Sequence, residues 1–248
     1  MTEIVREKIE IAVADAASPT MGAYLARPAE PGGHPGVLVG FELFGLTSYV
    51  RDIADRVAAE GYVAIAPDFY HRTAPGVELD STEEGRQRGF TLLDTVTREG
   101  ALADLEAARK ALTDHGATGK AGMIGLSFGG HLAYFAATRL DLAAVAVFYG
   151  GWLTTTDIPL SRPEPTVTLT GDITGRVLYL VGDTDHAVPA EHYSEIESHL
   201  AEAGVRHEVV VYPDTPHGFF CHVRDTYREG PAEDAWRRTR ELFATELR

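Results

Sequence analysis

The sequence Gly125-Leu126-Ser127-Phe128-Gly129-Gly130 lies between an apolar run at 121–124 and an apolar stretch at 132–137. This order predicts a strand, a sharp turn and a helix, with Ser127 held in a strained conformation at the tip of the strand. Glycines two residues before and after the serine fit such a turn, because a Cβ there would meet the neighbouring strand or helix. The hydroxyl would then stand at a helix N-terminus, which favours the negative charge that develops in acyl transfer. In this setting G-x-S-x-G is a nucleophile elbow, and outside it the same letters are an ordinary glycine-rich turn with a solvated serine.

The composition describes one acidic domain. A chain of 248 residues is long enough for one sizeable α/β domain and too short for two comfortable ones, so residues 1–248 are predicted to form a single domain. The 22 Lys and Arg against 37 Asp and Glu give a net charge of −15, which disfavours nucleic acid and anionic membranes as partners. The single cysteine, Cys221, excludes an intramolecular disulfide. Residues 1–8 have no apolar signal core and no run approaches the length of a membrane span, so a cytoplasmic location is expected.

The hydrophobic pattern alternates between strands and helices. Residues 3–13 and 21–25 predict a hairpin at the edge of a sheet. Further buried strands are predicted at 37–40, 62–66, 121–124, 142–148, 177–181 and 208–212, and helices from Tyr49 to Gly61, at about 101–112, and at 132–137, 190–203 and 231–247. Residues 152–176 are proline-rich and predict a loop or lid. The alternation predicts an α/β fold with a mostly parallel sheet that helices cover on both faces.

A serine becomes a strong nucleophile only when a base takes its proton, so the elbow requires an acid and then a histidine later in the chain. Two acids, Asp183 and Asp185, follow the predicted strand at 177–181, and His217 follows the last strand. Catalytic groups of parallel sheets gather at these carboxyl ends. We favour Asp185 over Asp183, because Asp183 is better placed to cap the turn. No pair has His-x-x-x-His or Cys-x-x-Cys spacing, so neither a metal site nor a cofactor is predicted.

Glu42 is an acid at the tip of the apolar run 37–41, where an unpaired charge would be costly. It needs a donor, and we predict that the Ser127 hydroxyl supplies one in the unliganded protein and is thereby held away from the histidine. The alternative is that Glu42 binds backbone N–H groups of its own loop. The backbone N–H groups of Leu43 and Phe128 are the predicted oxyanion hole, since one donor follows the nucleophile and the other follows strand three.

Taken together, six motifs resemble the dienelactone hydrolases (carboxymethylenebutenolidases) over nearly the whole chain. The resemblance implies an α/β-hydrolase fold without a separate cap domain, a catalytic triad of Ser127, Asp185 and His217, and a Glu42 that hydrogen-bonds the resting nucleophile. The motifs are Phe41-Glu42-Leu43-Phe44-Gly45, Ala66-Pro67-Asp68-Phe69-Tyr70, Ala74-Pro75-Gly76, Gly125-Leu126-Ser127-Phe128-Gly129-Gly130, Asp185-His186-Ala187-Val188-Pro189 and His217-Gly218-Phe219.

The chain departs from this family pattern in two places. The best-known members carry a cysteine where this chain has Ser127, and a serine is far less acidic and relies on the histidine as a concerted base. Those members also bind a substrate carboxylate with two arginines. The first corresponds to Arg86 or Arg88, whereas the second, four residues after the catalytic histidine, is replaced by Cys221. Arg224 could substitute only if the loop differs, which puts dienelactone in doubt as the substrate.

The predicted function is a serine hydrolase of small esters or lactones that works through an acyl-enzyme. The predicted substrate contacts are Arg88, Arg86, Tyr70 and Trp152. A broader carboxylesterase or a peptidase-like hydrolase would use the same residues. A non-catalytic ligand-binding protein of the same fold is the alternative outside the enzymes, since a fold alone does not fix function. The expected partners are a small-molecule ester or lactone and, at most, further copies of the chain, as a monomer or a small homo-oligomer.

Overall fold

The computed structural model describes residues 3–15 and 17–248. Its strands form one eight-stranded sheet in the order β1-β2-β4-β3-β5-β6-β7-β8. β1 pairs antiparallel with β2 and β2 antiparallel with β4, whereas the other pairs are parallel. The predicted fold class and edge hairpin are therefore confirmed. The strands are β1 (Ile4–Ala12), β2 (Thr20–Pro28), β3 (His34–Gly40), β4 (Val63–Pro67), β5 (Ala117–Leu126), β6 (Ala144–Phe148), β7 (Arg176–Gly182) and β8 (His207–Tyr212).

Helices cover both faces of this sheet. They are α1 (Ser48–Ala59), α2 (Glu83–Leu93), α3 (Arg98–Asp114), α4 (Phe128–Arg139), α5 (Ala190–Glu202) and α6 (Glu229–Glu246). Along β5, a Cβ on Gly122 would face Phe243 of α6, whereas a Cβ on Gly125 would meet Gly129 of α4. Positions three apart on a strand point to opposite faces, so α4 and α6 lie on opposite sides of the sheet. In the described part of the chain no helix combines the length and apolarity needed to cross a membrane.

Hydrophobic burial and helix capping explain most of these elements. The central strands β3 to β7 are buried along most of their length, as apolar runs covered on both faces require. Two helices follow the polar stretch after β4, and each starts at a threonine whose hydroxyl accepts from a backbone N–H in the first turn, Thr82 from Gly85 and Thr97 from Gly100.

The segment 152–176, predicted as a loop or lid, contains two short 3₁₀ helices, Pro159–Ser161 and Thr166–Asp172, and packs on α3 and α4. His131 of α4 is fully buried. Its imidazole hydrogen-bonds the Thr166 hydroxyl (2.8 Å) in this segment and the Gly151 carbonyl (2.9 Å) just before it. Burial lowers the pKa of this imidazole to about 3, so it is neutral at physiological pH. The Arg98 guanidinium donates to the Leu160 carbonyl from α3. This segment is a packed part of the domain, and no separate cap domain occurs within 3–15 and 17–248.

Candidate active site

The turn between β5 and α4 places Ser127 at the carboxyl edge of the sheet. Ser127 has a positive φ of 53°, a strained conformation for a residue with a side chain. Its N–H donates to the Phe148 carbonyl on β6 (2.9 Å), and this bond anchors the turn to the neighbouring strand. A Cβ on Gly125 would overlap the Gly129 backbone, and a Cβ on Gly129 would overlap the end of β3. Glycine is therefore required at both positions, as the elbow pattern predicts.

Three side chains at this edge form a continuous hydrogen-bonded row. The Ser127 Oγ lies 2.9 Å from His217 Nε2, and His217 Nδ1 lies 2.8 Å from Asp185 Oδ2. Asp185 is buried and also accepts from the N–H groups of Ala187 (2.8 Å) and Val188 (3.1 Å), which fix the carboxylate. Because Asp185 accepts a hydrogen bond from Nδ1–H, the proton of the neutral imidazole stays on Nδ1 and the Nε2 lone pair can accept a proton from the serine. This row has the geometry that transfers a proton from the serine to the imidazole.

The structure separates the two acids that follow β7. Asp185 contacts the imidazole of His217, whereas Asp183 accepts from the backbone N–H of Thr215 (3.4 Å) in the turn before that histidine. Asp183 is exposed and Asp185 is buried. Asp183 thus caps the turn, as the turn chemistry of the sequence indicates.

Glu42 is buried beside this row but has different partners from the one predicted. It accepts hydrogen bonds from the Tyr149 hydroxyl (3.2 Å) and from the guanidinium of Arg224, with which it is ion-paired. Among the described residues, no hydrogen bond joins Glu42 to Ser127, so the predicted bond between them is wrong for this structure. A charged donor is a stronger partner for a buried carboxylate than a hydroxyl, and Arg224 reaches Glu42 from the loop after His217. The alternative, that Glu42 binds N–H groups of its own loop, is not observed either.

Tyr149 is therefore a neighbour of the site that residue patterns did not assign to it, and Arg224, named from the sequence only as a possible substitute for a substrate-binding arginine, is the ion-pair partner of Glu42. Tyr149 has a positive φ of 42°, and its ring packs against the ring of His217 at 4.9 Å between centroids. Its place directly after β6, before two glycines, is the signal that could have found it. The Arg224 guanidinium lies 4.6 Å from the centre of the Phe44 ring. Burial by itself would lower its pKa, but the Glu42 carboxylate outweighs burial and raises it, so Arg224 carries a full charge.

Ser127 opens into a cavity of about 470 Å³ with one aromatic wall. Trp152 and Phe90 form this wall, with their ring centres 6.4 Å apart and their planes nearly perpendicular. Trp152, one of the predicted substrate contacts, therefore lines the cavity at Ser127. Arg86 and Arg224 also line the cavity and give it cationic groups.

Two of the predicted substrate contacts, Tyr70 and Arg88, do not line this cavity. Tyr70 is fully buried and does not line the cavity. It donates to the Leu43 carbonyl (3.2 Å) and holds the loop after β3 in place. Arg88 is exposed on α2 and also lies outside the cavity lining, whereas Arg86, two residues earlier, reaches it. The helical period separates residues two apart onto different faces, which is why only one arginine points to the cavity.

The backbone N–H groups of Leu43 and Phe128 have no hydrogen-bond acceptor among the described residues. Phe128 is the first residue of α4, so its N–H has no acceptor within the helix. Within the described residues, neither this N–H nor that of Leu43 donates to a backbone or side-chain acceptor. In the same part of the chain, no three His, Cys, Asp or Glu side chains come together as a metal site would require.

A mostly parallel sheet with a serine at a strand-to-helix elbow, followed by an acid and a histidine after later strands, defines an α/β-hydrolase fold. The family model described as "Dienelactone hydrolase family" matches residues 21–247, and the chain belongs to this family. It is accordingly a hydrolase that acts on ester or lactone bonds.

Known proteins resemble the chain over most of its length. A protein of Synechocystis sp. named "Putative carboxymethylenebutenolidase" is 39% identical over 233 residues, which cover 92% of this chain and 93% of that protein. A protein of Salmonella typhimurium with the same name is 34% identical over 235 residues, which cover 90% of this chain and 82% of that protein. The crystal structure named "Putative Dienelactone Hydrolase" from Klebsiella pneumoniae is 29% identical, covers 98% of this chain and 99% of its own, and has a TM-score of 0.87.

Proposed function

We propose that this hydrolase cleaves small carboxylic esters or lactones through an acyl intermediate on Ser127. The observation that carries the proposal is the row of side chains from Ser127 Oγ through the imidazole of His217 to Asp185, with distances of 2.9 and 2.8 Å. These are the distances over which a base activates a serine and an acid orients the base.

The reaction follows from this geometry in two halves. In the first half, His217 Nε2 takes the Ser127 proton as Oγ attacks the carbonyl carbon, and the imidazolium then protonates the leaving alkoxide. With a lactone, the released hydroxyl stays on the acyl chain. In the second half, a water molecule loses a proton to Nε2 as its oxygen attacks the acyl carbon. The imidazolium then returns that proton to Ser127 Oγ as the bond to the serine breaks, and the released acid ionises to the carboxylate in solvent. Asp185 keeps the imidazole in the required tautomer and stabilises its charged form.

The negative oxygen of each tetrahedral intermediate would be held by the N–H groups of Leu43 and Phe128. Both groups lack an acceptor among the described residues, and Phe128 N–H lies at the positive end of α4. The hydrogen bond from the Tyr70 hydroxyl to the Leu43 carbonyl supports this role, because it anchors the peptide that follows Leu43 and so restrains the loop that carries the Leu43 N–H.

The cavity favours a substrate with an apolar part. The rings of Trp152 and Phe90 offer an aromatic surface beside the nucleophile. Two cations line the cavity, and each has an acidic partner in the protein: Glu42 offsets the charge of Arg224, and Glu83 lies 3.9 Å from Arg86. We therefore propose that small neutral esters and lactones are accepted, and that a substrate carboxylate is not required for binding.

Labelling with a fluorophosphonate probe tests this function directly, because only an activated serine reacts with it. We expect the protein to be labelled and to hydrolyse 4-nitrophenyl acetate, and we expect Ser127→Ala to lose both properties while keeping its fold. Ser81→Ala is the matched control, since Ser81 lines the same cavity and, among the described residues, its hydroxyl forms no hydrogen bond with a histidine. Labelling or hydrolysis that persists in Ser127→Ala would contradict the proposal.

A further inference from the structure

A second cavity of about 550 Å³ lies between the end of α1, the start of α6 and the loop after His217. It shares no lining residue with the cavity at Ser127. Arg56, in the last turn of α1, is one of its lining residues. The Arg56 Cζ lies 4.3 Å from the centre of the Trp236 ring and 5.1 Å from the centre of the Phe220 ring. The guanidinium is thus held against two aromatic side chains that face a cavity.

Arg56 differs from the other arginines around this cavity in its lack of a partner. Arg237 is ion-paired with Asp234 and Glu241, and Arg240 with Glu60. Among the described residues, no carboxylate lies within ion-pair distance of the half-buried Arg56 and no acceptor hydrogen-bonds it; Asp52, one turn earlier on α1, attracts its charge from beyond that distance.

A cation withdrawn from water without a partner is costly, and five N–H donors stay available on its edges. Burial lowers the pKa of the Arg56 guanidinium, but arginine remains charged at physiological pH. One carboxylate lines the cavity, that of the exposed Glu233, which forms no ion pair among the described residues. The cavity therefore has a positive centre and an acidic side chain beside it.

We propose that this second cavity binds a small aromatic carboxylate. The carboxylate would accept hydrogen bonds from Arg56, whose planar fork matches its two oxygens. The ring would pack on the apolar surface of the half-buried Trp236 and Tyr227, whereas Phe220, 2% exposed, lies behind the guanidinium. Each part of such a ligand has a matching group, because the Trp236 and Phe220 rings orient the half-buried guanidinium before the ligand binds.

Benzoate is the probe, and benzamide is its neutral counterpart of the same shape. The chain has two tryptophans, so in the variant Trp152→Phe the fluorescence reports on Trp236 alone. We expect benzoate to change this fluorescence with saturation, and benzamide to bind at least tenfold more weakly, since it lacks the charge that pairs with a guanidinium. The proposal is overturned if benzoate gives no saturable change or if benzamide binds equally well.

Substitutions in the same background assign the binding to Arg56. Arg56→Gln should weaken benzoate at least tenfold, because the charge and the fork are lost. Arg109→Gln, on α3, changes the net charge equally and should leave the affinity unchanged. Glu233→Gln should strengthen benzoate about threefold by removing the one lining carboxylate. If Arg56→Gln does not fold, the affinity of Glu233→Gln for benzoate decides whether the ligand binds in this cavity. Unaltered affinity in Arg56→Gln, or in Glu233→Gln, would overturn the assignment.

Discussion

Glu42 is ion-paired with Arg224, and both side chains line the cavity that contains Ser127. The Tyr149 hydroxyl donates to the other carboxylate oxygen, so the acid is held from two sides. Ser127 is consequently free to bond His217 in the unliganded protein. The pair gives Glu42 a role in the charge of the cavity, because it decides how much of the Arg224 charge a substrate meets.

Glu42→Gln is expected to change the preference between substrates. The amide keeps the size of the side chain but no longer offsets the Arg224 charge. The ratio of kcat/KM for an anionic ester, mono-4-nitrophenyl succinate, to that for neutral 4-nitrophenyl butyrate should rise about tenfold, equivalent to about 1.4 kcal/mol. Arg224→Gln should shift the ratio in the opposite direction. An equal change for both substrates would show that Glu42 does not act through the charge of the cavity.

Asp185→Asn should lower kcat/KM far more than Asp183→Asn. An amide at position 185 can donate to His217 Nδ1 and so favours the wrong tautomer, which leaves Nε2 without a lone pair for the serine proton. In serine proteases this change costs about 10⁴-fold, and we expect a loss on the order of 10³–10⁴-fold here. Asp183 contacts only the turn, so Asp183→Asn should stay within about tenfold of the parent. Steady-state hydrolysis rates of the two variants decide this, and a larger loss in Asp183→Asn would reverse the assignment.

Phe90→Ala should raise KM for esters with an aromatic or long apolar group. Phe90 is 43% exposed at the cavity and packs edge-on against Trp152. Its loss removes apolar contact with bound substrate but no group that reacts. We expect KM for 4-nitrophenyl butyrate to rise about three- to tenfold, a loss of about 1 kcal/mol, with kcat nearly unchanged. Val211→Ala, which removes a 39% exposed residue on β8, is the control and should leave both constants unchanged. A fall in kcat without a change in KM would argue against a binding role.

Asp234 makes stability depend on pH in the acid range. Burial by itself would raise the pKa of its carboxyl, but hydrogen bonds from Arg238, Arg237 and Tyr212 outweigh burial and lower the pKa to about 2. The value in the unfolded chain is about 3.9, so the folded state gains stability above that pH and loses it as the pH falls toward 2.

Asp234→Asn should therefore lower the free energy of unfolding at pH 7, and the difference from the parent should shrink between pH 5 and pH 3. The effect at pH 7 should be about 1 kcal/mol or less, because the pair is partly exposed and solvent screens it. Urea unfolding at pH 7, 5 and 3 measures it, with Glu233→Gln as a neighbouring control. A difference that is the same at pH 3 and pH 7 would contradict the pH dependence.

Local patterns determined the elements and the order of the catalytic groups. The central strands β3 to β7 are apolar runs buried along most of their length, and the elbow at Ser127 requires glycine at 125 and 129 because backbone atoms lie where a Cβ would be. Asp185 and His217 follow their strands directly, and parallel strands bring their carboxyl ends to one edge whatever the side chains beyond them. Sequence reasoning succeeds here because the contacts follow from neighbours in the chain and from the direction of the strands.

The partners of side chains that meet across the fold were decided by the tertiary structure alone. Glu42 and Arg224 are 182 residues apart, and the shape of the loop after His217 determines that they pair. Tyr70 illustrates the same limit, because the packing of its ring decides that it supports Leu43 instead of contacting substrate. The sequence by itself therefore determined the fold, the elbow and the serine, acid and histidine. The tertiary structure decided the electrostatic surroundings, since a buried charge takes whichever donor the folded chain brings within reach.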